Sequence, residues 1–298
     1  MRIYLADFSL DVLLKYHELY PERRLNVLRS FGTPSKDTEG FLRTHRDKIG
    51  SLILDSGTWT LNNRKTTGGM KITLEGYKNY AQDFGNYFDF YFNFDSNFTD
   101  EGFGTNISNQ VYLEDAGLRP VPVIHDIYGD EIPHYIERKY PLVALGSAQI
   151  TDIYSLQMVV DRLQRAGIQI HLFGNTTFEF LSSLPIYSCD STSWAKTAAF
   201  GEIKYWNPRK TGKNKTDEIH LEEYLNALAK KATEKTISRY PFRKELEEYL
   251  DKELGISGDD LYKNKFYQWL VNTHYYVELE ERITLIHQQK GFNTDPKW

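Results

Sequence analysis

The chain has 298 residues, 40% of them apolar and 26% charged, which is enough apolar matter for a sizeable core and excludes a low-complexity or disordered polymer. A formal net charge of −5 and a pI near 5.9 exclude a basic body held on nucleic acid by overall charge, so any such contact must be local. The single cysteine, Cys189, excludes an internal disulfide and a cysteine-rich zinc site, and no run approaches the roughly 18 uncharged apolar residues of a membrane span.

In chain order, the first segment, MRIYLADF, meets Asp7 before a signal-peptide core could form, so a cytoplasmic protein is expected. Short runs rich in β-branched or aromatic residues then predict strands at Arg2–Ala6, Ser51–Leu54, Phe88–Phe94, Val121–Ile124, Leu142–Leu145, Ile168–Phe173, Ile186–Cys189 and Phe200–Trp206. Helical periodicity lies between them at Leu74–Phe84, Ile107–Ala116, Glu131–Lys139, Asp152–Ala166 and Thr177–Ser183. Polar or glycine-containing turns follow most strands: Asp55-Ser56-Gly57, Asp95-Ser96-Asn97, His125-Asp126, Gly146-Ser147, Gly174-Asn175 and Asp190-Ser191-Thr192. Polar residues behind nearly every strand fit the catalytic face of an α/β (β/α)8 TIM-like barrel. A doubly wound open sheet, the competing fold, would gather them near one switch point.

After Pro208 the pattern changes. Arg209, Lys210, Lys213 and Lys215 sit in a basic loop with Gly212, read either as a solvated turn or as a phosphate contact. Beyond it, helical period and abundant Glu and Lys predict segments over Asp217–Lys235, Phe242–Glu253 and Asp259–Gln289. The expected organisation is a catalytic barrel over 1–208 and a helical extension packed on it over 209–298. The many aromatic residues, 21 Tyr, 17 Phe and 5 Trp, must line either the core or a stacking surface.

Two apolar strands end in a carboxylate followed by a polar turn: Ser51-Leu52-Ile53-Leu54-Asp55 and Ile186-Tyr187-Ser188-Cys189-Asp190. Two carboxylates on one rim can divide labour, one attacking carbon and the other moving a proton, as in glycosyl transfer. Aspartate at a strand end is also a common helix N-cap, and on this pattern alone both readings stand.

Five segments, Leu54-Asp55-Ser56-Gly57-Thr58-Trp59, Phe92-Asn93-Phe94-Asp95, Ala144-Leu145-Gly146-Ser147, His171-Leu172-Phe173-Gly174-Asn175-Thr176 and Ile186-Tyr187-Ser188-Cys189-Asp190-Ser191, occur in a telling order and spacing. Over roughly residues 50 to 195 the chain resembles the tRNA-guanine transglycosylases, most of all the compact zinc-free relatives that insert 7-deazaguanine bases into DNA in phages and bacteria. The resemblance implies a (β/α)8 barrel that exchanges guanine in a nucleic acid for a free 7-deazapurine base through a covalent aspartyl-glycosyl intermediate. It makes Asp190 the nucleophile and Asp55 the acid/base, with the Ser56-Gly57 turn and Gly174 bordering the substrate. Asp95 would hold the purine edge, Gly146 would leave room for the base, and Trp59 would stack on it. His125 is read either as a purine contact or as a histidine packed at the rim. Trp194 is a second expected stacking surface, beside phosphate contacts from Arg209, Lys210, Lys213 and Lys215.

The chain departs from that pattern in having no cysteine after Cys189, so the zinc site of the tRNA-acting members is missing and DNA is the favoured substrate over tRNA. Thr58 and Thr60 stand where the family carries other residues, which leaves the incoming base open. No metal and no cofactor is expected. The competing functions are a nucleoside or sugar-phosphate hydrolase on the same barrel and a non-catalytic nucleic-acid-binding barrel.

Overall fold

Strand β1 (Arg2–Ala6) is followed by β2 (Leu25–Ser30), β3 (Ile49–Asp55), β4 (Phe90–Tyr91), β5 (Val123–Ile124), β6 (Leu142–Leu145), β7 (Gln169–Leu172) and β8 (Ser188–Ser191) in a computed structural model, which describes residues 1–6, 8–32, 38–63, 72–146, 152–222 and 234–295. All eight strands pair in parallel in one sheet, in the order β4-β3-β2-β1-β8-β7-β6-β5. Parallel neighbours need crossover connections, and helices over Leu74–Phe84, Phe103–Asp115, Glu131–Arg138, Ile153–Arg165 and Phe178–Ser183 lie in the connections from β3 through β8.

The sheet curls. A single apolar cluster draws Tyr4 and Ala6 from β1, Leu28 from β2, Ile53 from β3, Phe90 from β4, Val123 from β5 and Leu142 and Ala144 from β6, so the two outer strands share one interior. Phe92, just after β4, bridges Val121, just before β5, in parallel. Asn93 N–H donates to the Val121 carbonyl at 2.8 Å and Val121 N–H to that of Tyr91 at 2.7 Å.

The helices form for local reasons. Thr73 caps Leu74–Phe84 through the Gly76 N–H at 3.1 Å, and Tyr77 and Ala81, one turn apart, are its buried face. Asp152 accepts from the N–H groups of Tyr154 and Ser155 at 2.8 and 2.9 Å, and the helix it starts buries Leu156, Val159, Val160 and Leu163 at helical spacing. Each such aliphatic side chain contributes about 1.5–3 kcal/mol when fully buried.

The chain divides into two compact units, one of residues 1–8, 24–191 and 284–298 and the other of 9–23 and 192–283. The first holds the parallel sheet. The second therefore includes the helix Leu10–Leu19 and everything from Thr192 to Ile283, a different partition from a boundary at 208. It contains β9 (Glu202–Trp206) and β10 (Thr216–His220), an antiparallel hairpin, with helices over Ser193–Ala199, Arg243–Tyr249 and Asp260–Lys263 and the larger part of Lys265–Gln289. Asn272, fully buried, holds this unit together: its side chain takes the Lys204 N–H at 2.8 Å and donates to the carbonyls of Trp194 and Glu202, both at 3.1 Å.

Three expectations are corrected. Phe200–Trp206 does not supply the eighth strand of the parallel sheet; among the described residues its core, β9, pairs with β10 alone, and the eighth strand is β2. The helix expected over Asp217–Lys235 begins instead as β10, because Thr216-Asp217-Glu218-Ile219-His220 alternates in register with β9; residues 223–233 lie outside the described residues. The helical run expected over Asp259–Gln289 breaks at Asn264, which is extended (φ −154°, ψ 130°) and accepts from the Phe266 N–H at 2.9 Å. No described helix is long and apolar enough to cross a membrane.

Candidate active site at the carboxyl ends of the strands

Asp190 lies in β8, opposite Tyr4 of β1 in register, and is 7% exposed. Its Oδ1 accepts the backbone N–H of Gly174, which follows β7 in a left-handed turn (φ 64°), at 2.9 Å. Nε2 of His171 stands 3.4 Å from the same oxygen without closing a hydrogen bond, and Nδ1 of that ring is 2.9 Å from Ser188 Oγ. Among the described residues nothing hydrogen-bonds Oδ2. The carboxylate is thus pinned through one oxygen and presents the other.

Beyond β4, at the other side of the sheet's interior, Asp95 is almost fully buried and meets a second histidine, which follows β5. Asn93 Nδ2 donates to its Oδ1 at 2.7 Å and to the Asn106 carbonyl at 2.9 Å, while Nε2 of His125 lies 3.2 Å from Oδ2. His125 N–H donates to Glu131 Oε2 at 2.6 Å, and its ring stacks on Phe98 with centroids 4.6 Å apart. Burial disfavours the imidazolium, but the carboxylates of Asp95 and Glu131 outweigh it and raise the His125 pKa above 6.5. Burial also raises that of Glu131, against the donors and positive charge at His125. Gly146 follows β6 beside this ring: an added Cβ would stand 3.2 Å from His125 Nδ1 and 3.3 Å from the Ile124 carbonyl, so the glycine makes room for the histidine.

Asp55 ends β3. Its Oδ2 accepts the Ser30 hydroxyl at 3.1 Å and the Gly57 N–H at 3.0 Å. Gly57 turns with φ 80°, and a Cβ there would overlap the backbone nitrogen and Cα of Gly32. Ser56, buried, shares a 3.1 Å hydrogen bond with Thr58, and Trp59 behind them is 56% exposed. The electrostatic influence of both Asp55 and Asp95 reaches the buried Tyr77 hydroxyl, which donates to the Phe92 carbonyl at 2.6 Å.

Asp55, Asp95, His125, Gly146, Gly174 and Asp190 therefore all close or follow parallel strands of the first unit at the same end of the sheet. Ser147 lies outside the described residues. Trp194 is a correction: it is 1% exposed in the second unit, edge-on to Trp269, and offers no stacking face. The basic residues occupy the β9–β10 connection of that unit. Arg209 pairs with Glu245 at 3.3 Å, Lys210 with Asp217 at 3.0 Å, and Lys215 donates to the Pro208 carbonyl at 3.2 Å; Lys213 is exposed. Two of the four charges are thus paired with carboxylates.

Sequence reasoning missed His171, Ser188, Asn93 and Glu131 as members of this constellation. A signal existed: Gln169 and His171 in β7, and Ser188 and Asp190 in β8, are polar pairs two residues apart that flank the apolar Ile170 and Cys189, which puts each pair on one face. Among the described residues no three His, Cys, Asp or Glu side chains converge as a metal site. The chain matches no model of a known protein family and no curated protein.

Proposed function

We propose that the chain is a base-exchanging transglycosylase that replaces guanine in a nucleic acid, DNA rather than tRNA, with a 7-deazaguanine derivative, and that the Phe92–Val121 bridge closes its sheet into a (β/α)8 barrel. The observation that carries the reading is Asp190: a buried carboxylate at the end of β8, fixed through Oδ1 by the Gly174 N–H, with Oδ2 unengaged among the described residues. That is what a nucleophile needs, one oxygen held and one presented.

In the first half-reaction Oδ2 of Asp190 bonds to C1′ of the target nucleotide while the C1′–N9 bond breaks, and guanine leaves with a proton supplied by Asp55. In the second, N9 of the incoming base attacks C1′, the ester bond breaks, Asp190 leaves as a carboxylate and Asp55 takes the proton of the new base. Asp95 and His125 offer polar atoms to the purine edge beside Gly146, and exposed Trp59 offers a stacking face. Reaching C1′ requires an extruded or single-stranded nucleotide.

The test is intact-protein mass spectrometry after incubation with a guanine-containing single-stranded DNA. The wild type acquires an oligonucleotide-sized adduct with loss of guanine, and Asp190→Asn does not. Guanine release in which water alone is the acceptor, even with a free base present, would instead identify a hydrolase.

A further inference from the structure

His171 is an expensive choice for the place it occupies. The ring has no solvent exposure and packs among the rings of Phe92 and Phe173, both at 4.8 Å between centroids, and of Tyr4 at 6.1 Å and Phe90 at 6.3 Å. A leucine or phenylalanine would fill such a space without burying two nitrogens, and an imidazole there has to find partners for both. It finds two. Nδ1 is 2.9 Å from Ser188 Oγ, and Nε2, otherwise unpartnered, faces Asp190 Oδ1 at 3.4 Å. Ser188 and Asp190 are alternate residues of β8, and Ser188 is the register partner of His171 itself, so the strand pairing alone brings the three side chains together.

The roles follow from donor and acceptor counting. An ionised carboxylate only accepts, so the nitrogen facing Asp190 must carry the proton. In the neutral ring Nδ1 then holds the lone pair, and the Ser188 hydroxyl donates to it. We infer that His171, held by Ser188, is a positioning residue that donates from Nε2 to Oδ1 of Asp190 and, together with the Gly174 N–H, leaves Oδ2 as the attacking atom. The catalytic half of this rests on the transglycosylase reading. In that reaction the same contact acts twice: it orients the carboxylate as Oδ2 bonds to C1′, and it stabilises the negative charge returning to Asp190 when the ester bond to C1′ breaks. The 3.4 Å separation is long for a hydrogen bond, as expected of a free enzyme whose catalytic contacts shorten when substrate is bound.

Two measurements test it. The first is the imidazole 15N spectrum of the free protein, which does not depend on activity. His171 should be the Nε2–H tautomer, and Asp190→Asn should shift its resonances while leaving those of the other histidines in place. The second is exchange of labelled guanine into DNA. Folded His171→Leu should lose about 100-fold in kcat, the scale of an ångström-sized misplacement, with KM for the base little changed. His171→Gln, which keeps an N–H donor, should recover part of the loss, and Ser188→Ala should fall between Gln and wild type. An Nδ1–H tautomer, resonances indifferent to Asp190→Asn, or wild-type exchange by folded His171→Leu each overturns the positioning role. Absence of exchange in the wild type itself overturns the reaction, and with it the catalytic half, whatever the tautomer.

Discussion

Asp95 and His125 oppose their own burial. The ring is pushed toward neutrality by desolvation and toward the imidazolium by two carboxylates, and the second effect wins, so its native pKa lies above 6.5. The sign follows: the stabilisation this pair contributes is complete below about pH 6.5 and is lost as the pH rises through the native value. Asp95→Asn removes the larger of the two charge partners, and the NMR titration midpoint of His125 should then move down; an unmoved midpoint would show that the pair is not coupled. At this scale the two catalytic candidates were legible because a carboxylate closing an apolar strand is unusual enough to notice. His171 was not, since one histidine inside the run Ile168–Phe173 looks like core. Its meaning came from β8, which only the pairing register brings alongside. Trp194 failed the other way, because an aromatic side chain near a strand end carries no mark of which way it faces.

The turn after β3 gives a sharp test among the elements. Gly57 and Gly117 both have positive φ, 80° and 82°, but a Cβ meets the Gly32 backbone at the first and nothing within 4 Å at the second. Gly117→Ala should therefore cost about 1 kcal/mol, the left-handed backbone penalty alone. Gly57→Ala should cost clearly more and also lose exchange, because the Gly57 N–H orients Asp55; urea midpoints and the exchange assay together check both. In the second unit buried Asn207 donates to Asp217 at 2.8 Å and to Tyr240 at 3.1 Å. Asn207→Ala leaves those groups short of a partner and should cost roughly 1–3 kcal/mol in the same measurement. Elements were legible where local chemistry dominates: β1, β6 and the helix Leu74–Phe84 fall where periodicity and capping place them. The strand β2 was not, since Asn26, Arg29 and Ser30 dilute its apolar residues, and its burial comes from lying between β1 and β3. The hairpin β9–β10 was mistaken in part because its two strands are joined by a connection far longer than a tight turn.

For the molecule as a whole, acid should be destabilising in a way that can be traced. Burial, helped by the positive charge of Arg23, lowers the pKa of His274 from 6.5 to about 4. A depressed histidine contributes stability that is intact above pH 6.5 and is lost as the pH falls from there toward 4, a few kcal/mol for a shift of that size. His274→Gln should flatten the fall of the urea midpoint between pH 7 and 4.5 relative to the wild type; an equally steep fall would place the acid sensitivity elsewhere. The central claim, however, is a reaction, and labelled guanine tests it most directly. Incubated with a guanine-containing DNA strand, the protein should transfer radiolabelled guanine from solution into the polymer without net loss of bases, and Asp190→Asn should transfer none. Label incorporated equally well by Asp190→Asn, or absent from both DNA and tRNA with the wild type, would contradict the account.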